Sequence, residues 1–289
     1  MSVHLLSFAA GIQYSQFLIE RFKKQASSCK FFDQTVVVAE GEDQLFETFY
    51  EEYSDFVNQN PRGYGYWLWK PFIIFHYMKR LSPGDILVYC DIGCELSSAG
   101  AKKFSGYKKI LDNLDFLTFS TFNRQPESYW CKKELLDQFK LSRSLIQEEQ
   151  VAATFFMLKV SDFSINLVNE WLDLAKSENF IYINDHCTID QLPEFIEHRH
   201  DQAIFSMLMK KYDLPRLRER CYFPPLLYYN NSYVYKYPFH ALRSKTKEYF
   251  IEPNSLFNYR AGFYQFFKYH LIFLFQRVDR KIKLLLGLI

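Results

Sequence analysis

Gly84-Asp85-Ile86-Leu87-Val88-Tyr89-Cys90-Asp91-Ile92-Gly93-Cys94-Glu95 is the stretch that decides the fold class. The apolar run Ile86 to Cys90 predicts a short buried strand, of the kind found in parallel sheets. In open α/β sheets, ligands bind outside the carboxyl ends of the strands, so the strand that ends at Asp91 predicts a site there. The alternative is a simple turn, in which Asp91 ends the strand and Glu95 is solvated.

The carboxylates of this stretch favour a hard divalent cation. Asp91 and Glu95 stand four residues apart, and carboxylate oxygen is what Mg²⁺ or Mn²⁺ prefers, usually shared with substrate phosphates. Gly93 lies between them and would let the backbone approach a sugar or a phosphate. We therefore predict that Asp91 holds a metal–diphosphate group.

The preceding segment is an aromatic, glycine-containing loop, Arg62-Gly63-Tyr64-Gly65-Tyr66-Trp67-Leu68-Trp69-Lys70-Pro71, followed by an apolar stretch predicted to be helical from Phe72 to Leu81. A lysine just before a helix adds to the end of the helix dipole that attracts anions. We predict that Lys70 and Arg62 help to neutralise the diphosphate, whereas the tryptophans of this loop anchor the core.

The rest of the chain alternates between strand and helix patterns, which predicts an α/β fold with a mainly parallel sheet flanked by helices. The first strand ends near Gly11, where a backbone could approach a ligand closely. The other predicted strands are Thr35–Ala39, Phe116–Ser120 and Ala152–Val160, and the predicted helices are Tyr14–Lys24, Leu45–Val57, Trp130–Phe139, a segment around 165–174, and Ala203–Met209.

A second dense cluster is His198-Arg199-His200-Asp201-Gln202, directly before an apolar helical pattern. Asp201 and Gln202 would lie at a helix N-terminus facing the strand ends, where a carboxylate can act as a base or position a sugar hydroxyl. Alternatively, Asp201 caps the helix and the histidines are surface residues.

A late polar segment contains His240 and the cations Arg243, Lys245 and Lys247. His240 could complete a metal site, and the cations could bind a diphosphate. A solvated, charged loop would explain the same residues.

The composition excludes several classes. The 289 residues are 48% hydrophobic with only 10 Gly and 10 Pro, which argues against disorder and low complexity. The net charge of +2 gives no case for nucleic acid as a partner. The six cysteines have no zinc-type spacing, so we expect reduced thiols in a cytoplasmic protein. No signal sequence and no bilayer-spanning run are recognisable.

The ordered set of these motifs resembles bacterial polysaccharide glycosyltransferases of the GT-A, nucleotide-diphospho-sugar transferase type. The residues that match are 65–71, 84–95 and 198–202, and the resemblance covers roughly residues 1–250. It implies a Rossmann-like sheet that binds a UDP-sugar, whose sugar would be a galactosyl, galactofuranosyl or other hexosyl group. It also implies a DxD motif that holds Mn²⁺ or Mg²⁺. Asp91 matches the first Asp of that motif, whereas Gly93 replaces the second.

The resemblance also implies roles for individual residues. Asp201 and Gln202 become the candidate catalytic residues, with Asp201 as the base if the enzyme inverts and as a donor-positioning group if it retains. Gly11, Arg62, Lys70, Gly93, His200 and Lys245 are the candidate donor-binding residues, and Asp91, Glu95 and His240 are the candidate metal ligands. The acceptor would be a capsule, lipopolysaccharide or lipid-linked glycan. The alternatives are a non-catalytic carbohydrate-binding or scaffold protein on the same fold and, more weakly, a nucleotidyltransferase.

Residues 251–289 are predicted to form a basic amphipathic helical tail behind a catalytic domain of residues 1–250. Aromatic residues alternate there with Arg277, Arg280, Lys281 and Lys283, which fits peripheral binding to an anionic membrane at its cytoplasmic face. A helix that packs on the domain or in a homodimer is the alternative.

Overall fold

The computed structural model describes residues 1–11, 16–121, 126–218 and 236–242. A six-stranded sheet has the strand order β2-β1-β3-β6-β5-β7. All its strands run in one direction except β6, which is antiparallel to both of its neighbours. The predicted α/β class with a mainly parallel sheet is therefore confirmed. The strands are β1 Val3–Ala9, β2 Gln34–Ala39, β3 Ile86–Cys90, β4 Glu95–Leu96, β5 Phe116–Ser120, β6 Val151–Lys159, β7 Arg216–Leu217 and β8 Phe239–His240.

Helices cover both faces of the sheet, because each strand sends alternate side chains to opposite sides. Leu6 and Phe8 of β1 join one apolar core, and Leu5 and Ala9 join the other. The helices are α1 Gln16–Cys29, α2 Gln44–Gln59, the single turn α3 Gly63–Tyr66, α4 Trp69–Met78, α5 Ala101–Leu111, α6 Glu127–Trp130, α7 Lys133–Phe139, α8 Arg143–Ile146, α9 Asp162–Phe180 and α10 His200–Lys211.

The predicted strands lie within one residue of the observed ones, whereas several helices have other bounds than predicted. The helix predicted for Tyr14–Lys24 continues to Cys29, and the one predicted for Ala203–Met209 begins at His200. The helix predicted for Phe72–Leu81 begins three residues earlier, at Trp69. The helix predicted for Trp130–Phe139 is two short helices, α6 and α7. They are separated by Cys131 and Lys132, whose extended backbone angles break the helix. The amine of Lys132 donates to backbone and side-chain oxygens of the segment 184–186.

The loop before α4 is left-handed. All five residues from Gly63 to Trp67 have positive φ, and Tyr66 N–H and Trp67 N–H donate four residues back. A Cβ at Gly63 would lie 2.4 Å from the Trp67 ring, so only glycine fits there. A positive φ strains the backbone of a non-glycine residue, and such strain persists only where the surrounding structure imposes it. Here Trp69 Nε1–H donates to Gly63 O at 2.9 Å and closes the turn onto α4.

A two-stranded antiparallel ribbon of β4 and β8 pairs Glu95 with His240 and Leu96 with Phe239. No helix within the described ranges is long and apolar enough to cross a bilayer. The predicted C-terminal tail, the proposed boundary at residue 250 and the cation Lys245 all lie outside the described residues.

Candidate functional site at the end of the third strand

Asp91 lies at the carboxyl end of β3, a central strand, as the sequence predicts. Its N–H donates to Thr154 O of β6 at 2.8 Å, which fixes the backbone at the strand end. The hydroxyl of Tyr89 donates to Asp91 Oδ1 at 2.5 Å. Burial and the neighbouring Asp91 charge raise the pKa of Tyr89 well above its usual value, so the phenol stays protonated and remains a donor. The Asp91 side chain is 32% exposed.

Lys70 lies in the first turn of α4, where it forms a buried bridge between two carboxylates. Its Nζ is 2.9 Å from Asp201 Oδ2 and 3.3 Å from Asp91 Oδ1. It also donates to Ala153 O of β6 at 3.1 Å. Burial opposes the charged form, but Asp201 and Asp91 outweigh it, so that the pKa of Lys70 is raised. The lysine is therefore a permanent cation, enclosed by two carboxylate oxygens and one carbonyl oxygen.

Asp201 lies in the first turn of α10, beneath Lys70, with 6% of its side chain exposed. Helix α10 packs on β6, and Trp171 Nε1–H holds the backbone of Asp201 by donating to its carbonyl at 3.2 Å. Burial raises the pKa of Asp201 to about 6, although Lys70 lowers it. The capping residue of α10 is Arg199, so Asp201 is not the cap. Gln202 points inward instead, and its amide donates to Gln150 Oε1 at 2.9 Å.

His200 connects the left-handed loop to α10. Its ring stacks on Tyr66 and Trp67, with centroids 4.7 and 5.4 Å away. Its Nδ1 is 2.8 Å from Ile183 O. Burial lowers the pKa of His200 to about 4, so the ring is neutral at pH 7. These contacts give His200 a structural role in joining the loop to the helix, while the predicted donor contact remains a prediction.

Arg62 is a half-exposed cation at the same loop. It forms ion pairs with Asp185 at 3.2 Å and with Glu197 at 3.6 Å, and its side chain is 43% exposed. Asp185 also lies 3.6 Å from His200 Nε2. Arg62 thus borders the segment that leads into α10, and its predicted contact with a diphosphate remains a prediction.

Gly11 and Gly93 follow β1 and β3, two neighbouring parallel strands, so both lie at the carboxyl edge of the sheet. Gly11 has a φ of +79° and its N–H donates to Glu40 Oε2 at 2.8 Å. Gly93 is half-buried in the turn closed by Cys94 N–H and Asp91 O, at 2.8 Å. Both positions are consistent with close backbone approach, and their contacts with a donor stay predictions.

Glu95 and His240 face protein groups rather than Asp91. Glu95 is fully buried with Oε1 3.8 Å from Arg21 Nη1, and His240 Nε2 is 2.8 Å from Tyr237 O. Burial lowers the pKa of His240 to about 4. Among the described residues, no group of three His, Cys, Asp or Glu side chains could hold a metal.

A divalent cation nevertheless fits Asp91 alone. Mg²⁺ commonly uses one or two carboxylates and completes its octahedron with substrate phosphates and water. Asp91 Oδ1 is engaged by Tyr89 and Lys70, and no group in the described part of the chain donates to Oδ2. One oriented carboxylate oxygen is thus directed away from the protein donors. The metal roles of Glu95 and His240 stay predictions, with no support from their contacts.

Sequence reasoning missed the residues that orient this carboxylate. Tyr89 is one of five buried residues of β3, so the sequence predicts a core residue and does not reveal that its hydroxyl contacts Asp91. Ala153 supplies only a carbonyl, which no side-chain pattern reveals. The one available signal was the period of two in β3, which directs Tyr89 and Asp91 to the same face.

No family model and no curated protein matches the sequence significantly. Among solved structures, mouse xyloside xylosyltransferase 1 is similar at 10% identity, with 76% of this chain and 86% of that chain covered and a TM-score of 0.41. The 4-diphosphocytidyl-2C-methyl-D-erythritol synthase of Anaerococcus prevotii is similar at 12% identity, covering 76% and 89%, with a TM-score of 0.39. A glycosyltransferase involved in glycosylating the major capsid of PBCV-1 is similar at 9% identity, covering 62% and 68%, with a TM-score of 0.30. These similarities are too distant to assign a family or an activity.

Proposed function

We propose that this protein is a nucleotide-sugar-dependent glycosyltransferase that moves a hexosyl group from a UDP-sugar to a bacterial surface glycan. The observation that carries the proposal is Asp91, a partly exposed carboxylate fixed at the carboxyl end of a parallel strand by Tyr89 and Lys70. This is the edge at which α/β sheets bind ligands. The ordered sequence motifs around Asp91 and Asp201 support the same function.

The residues divide the work of transfer in a specific way. Asp91 faces the donor and would hold Mn²⁺ or Mg²⁺, which on binding would stabilise the negative charge that develops on the departing diphosphate. Lys70 acts through Asp91, because its buried amine is already enclosed by Asp91, Asp201 and the carbonyl of Ala153. The low exposure of Asp201 favours a positioning role through Lys70 over direct removal of a proton from the acceptor.

Asp91→Asn tests the proposal, with Asp115→Asn as a matched control. Asp115 is 29% exposed and lies 3.6 Å from Lys159, so it resembles Asp91 in exposure and pairing but precedes β5 instead of following a strand. Thermal shift with a panel of nucleotide sugars and Mn²⁺ should show stabilisation of the wild type and of Asp115→Asn by at least one UDP-sugar. Asp91→Asn should lose that shift, because a bound ligand stabilises only the form that binds it.

Turnover separates the proposal from the non-catalytic alternative. The wild type should hydrolyse the bound UDP-sugar slowly or transfer it to glycan, and Asp91→Asn should not. Binding without any turnover would favour a carbohydrate-binding or scaffold protein, because Asp91 could bind a ligand without taking part in a reaction. If no nucleotide sugar shifts the wild type, or if Asp91→Asn shifts equally, the assignment of this site fails.

A further inference from the structure

The two helical layers carry opposite charge. Helix α5 has the sequence AKKFSGYKKIL, with four lysines and no acidic residue. Helix α1, which packs on the same face of the sheet, adds Lys23 and Lys24, and Lys30 directly follows it. The acidic residue within α1 is Glu20. The layer formed by α1 and α5 is therefore strongly basic.

The opposite layer contains two acidic helices. Helix α2 has the sequence QLFETFYEEYSDFVNQ, with four acidic residues and no basic one. Helix α9 has four acidic residues and a single lysine. Both helices contribute to the apolar core on the other side of the sheet from α1 and α5. The small net charge of the chain thus hides a separation of charge across the sheet.

The basic residues belong to two helices that lie side by side on one face of the sheet. Phe31, just after α1, stacks on Phe104 of α5 with ring centroids 4.6 Å apart, which brings the end of α1 against α5. The positions between the lysines are small and mostly exposed, such as Ser27, Ser28 and Ser105. We call this surface the lysine face, and it consists of Lys23, Lys24, Lys30, Lys102, Lys103, Lys108 and Lys109.

We propose that the lysine face binds the surface of an anionic phospholipid bilayer. Lysines near such a surface are attracted individually, on the order of five-fold in partitioning per lysine. A plane of negative charge attracts the whole face at once, whereas the two acidic helices are repelled and lie farther away than a Debye length of about 8 Å. The protein would therefore bind in one orientation, with α1 and α5 toward the membrane.

The chemistry favours lipid over nucleic acid. The face consists of lysines, which act as point charges. It lacks the exposed arginines whose planar guanidinium groups bind one phosphate through two parallel hydrogen bonds. The aromatic side chains of α5, Phe104 and Tyr107, are buried and cannot stack on bases. The residues of the lysine face belong neither to the predicted C-terminal tail nor to the candidate site around Asp91.

Vesicle co-sedimentation of the full chain tests the proposal. Vesicles of phosphatidylcholine with a third phosphatidylglycerol should bind the wild type, and pure phosphatidylcholine vesicles should bind it much less. Lys102→Glu/Lys109→Glu reverses two exposed lysines of the lysine face. We expect its partition coefficient to fall by more than about 25-fold, because the loss of two lysines alone accounts for about 25-fold and the two glutamates add repulsion.

The matched control is Lys79→Glu/Lys176→Glu, which changes the net charge by the same amount on the other side of the sheet, where Lys79 directly follows α4 and Lys176 lies in α9. This variant should bind within about two-fold of the wild type, since its charges lie beyond the Debye length. Cooperative thermal unfolding of both variants verifies that they are folded. Equal loss by both variants, no loss by the first, or tighter binding of the wild type to duplex DNA than to vesicles at one ionic strength would overturn the proposal.

Discussion

Lys70 and Lys210 are both buried lysines that meet carboxylate and backbone oxygens, but only the cluster around Lys70 reaches solvent. Lys210 Nζ lies 2.8 Å from Glu127 Oε1 and 3.1 Å from the carbonyls of Leu145 and Glu148. Lys70 has the same kind of surroundings, with a second carboxylate in place of one carbonyl. That second carboxylate, Asp91, is partly exposed, whereas both members of the Lys210 pair are fully buried.

The difference lies in how completely each carboxylate is satisfied. Glu127 accepts from Lys210 and from the Ser206 hydroxyl at one oxygen, and from the Gln150 amide at the other. Asp91 receives Tyr89 and Lys70 at one oxygen only. A closed network fixes a fold, and a network with one oriented oxygen left over can bind a ligand. The same pairing chemistry thus has two outcomes in one molecule.

Lys210 and Glu127 form a closed cluster, and removing the lysine of this cluster should have the largest effect on stability. Lys210→Met leaves Glu127 buried without a counter-charge, which costs about 3–5 kcal/mol in the free energy of unfolding. The neighbouring Lys211→Met is the control, because Lys211 pairs with Glu170 at the surface and such pairs contribute about 0–1 kcal/mol. Urea denaturation measures both variants, and a loss for Lys210→Met no larger than for Lys211→Met would refute the contrast.

The five longer strands and the place of Asp91 were predictable from sequence, since both depend on local apolar patterning, whereas the two-residue strands β4, β7 and β8 were not predicted. Ile86 to Cys90 is apolar throughout, as a central strand buried on both faces must be. The antiparallel direction of β6 was not predictable, because its apolar run looks the same in either direction. The chain order of strands and helices favoured the parallel form, and only the pairing with β3 and β5 reverses it.

The candidate site was predictable in its residue types but not in its contacts. Lys70 was expected just before a helix facing a phosphate, and it lies inside the first turn of α4 facing two aspartates. Its placement depends on the left-handed loop and on α10 packing against β6, which join segments more than a hundred residues apart. The Glu127–Lys210 pair escaped notice for the same reason, since neither residue has a distinctive local pattern.

Asp201→Asn should stabilise the protein at high pH, in contrast to a neutral substitution in the closed cluster. The pKa of Asp201 is about 6 in the folded state, above its ordinary value of 3.8. The stability that this raised pKa provides is complete below about pH 4 and is lost as the pH rises through about 6. Asparagine cannot ionise, so its advantage over aspartate should grow from pH 4 to pH 8 and reach on the order of 1–3 kcal/mol.

Chemical denaturation at pH 4.5, 6 and 8 measures this difference. Glu127→Gln is the matched variant in the closed cluster, and it should destabilise the protein because Lys210 then loses its counter-charge. An Asp201→Asn variant whose stability relative to the wild type is the same at pH 4.5 and pH 8 would show that the carboxylate is not held at a raised pKa by burial.

Tyr89→Phe should weaken the ligand site by the smallest of these amounts, without disturbing the core. The substitution removes only the hydroxyl that donates to Asp91 Oδ1, and the ring keeps its contact with Phe156 at 5.5 Å. Partners that orient a ligating carboxylate commonly contribute about ten-fold or more to metal affinity. The Mn²⁺ concentration that gives half-maximal UDP-sugar binding should therefore rise about ten-fold. Tyr53→Phe changes a different buried tyrosine, in α2, and should leave this Mn²⁺ concentration unchanged. An unchanged Mn²⁺ requirement in Tyr89→Phe would mean that Lys70 alone orients Asp91. The cluster around Lys70 would then differ from the cluster around Lys210 only in its exposure to solvent.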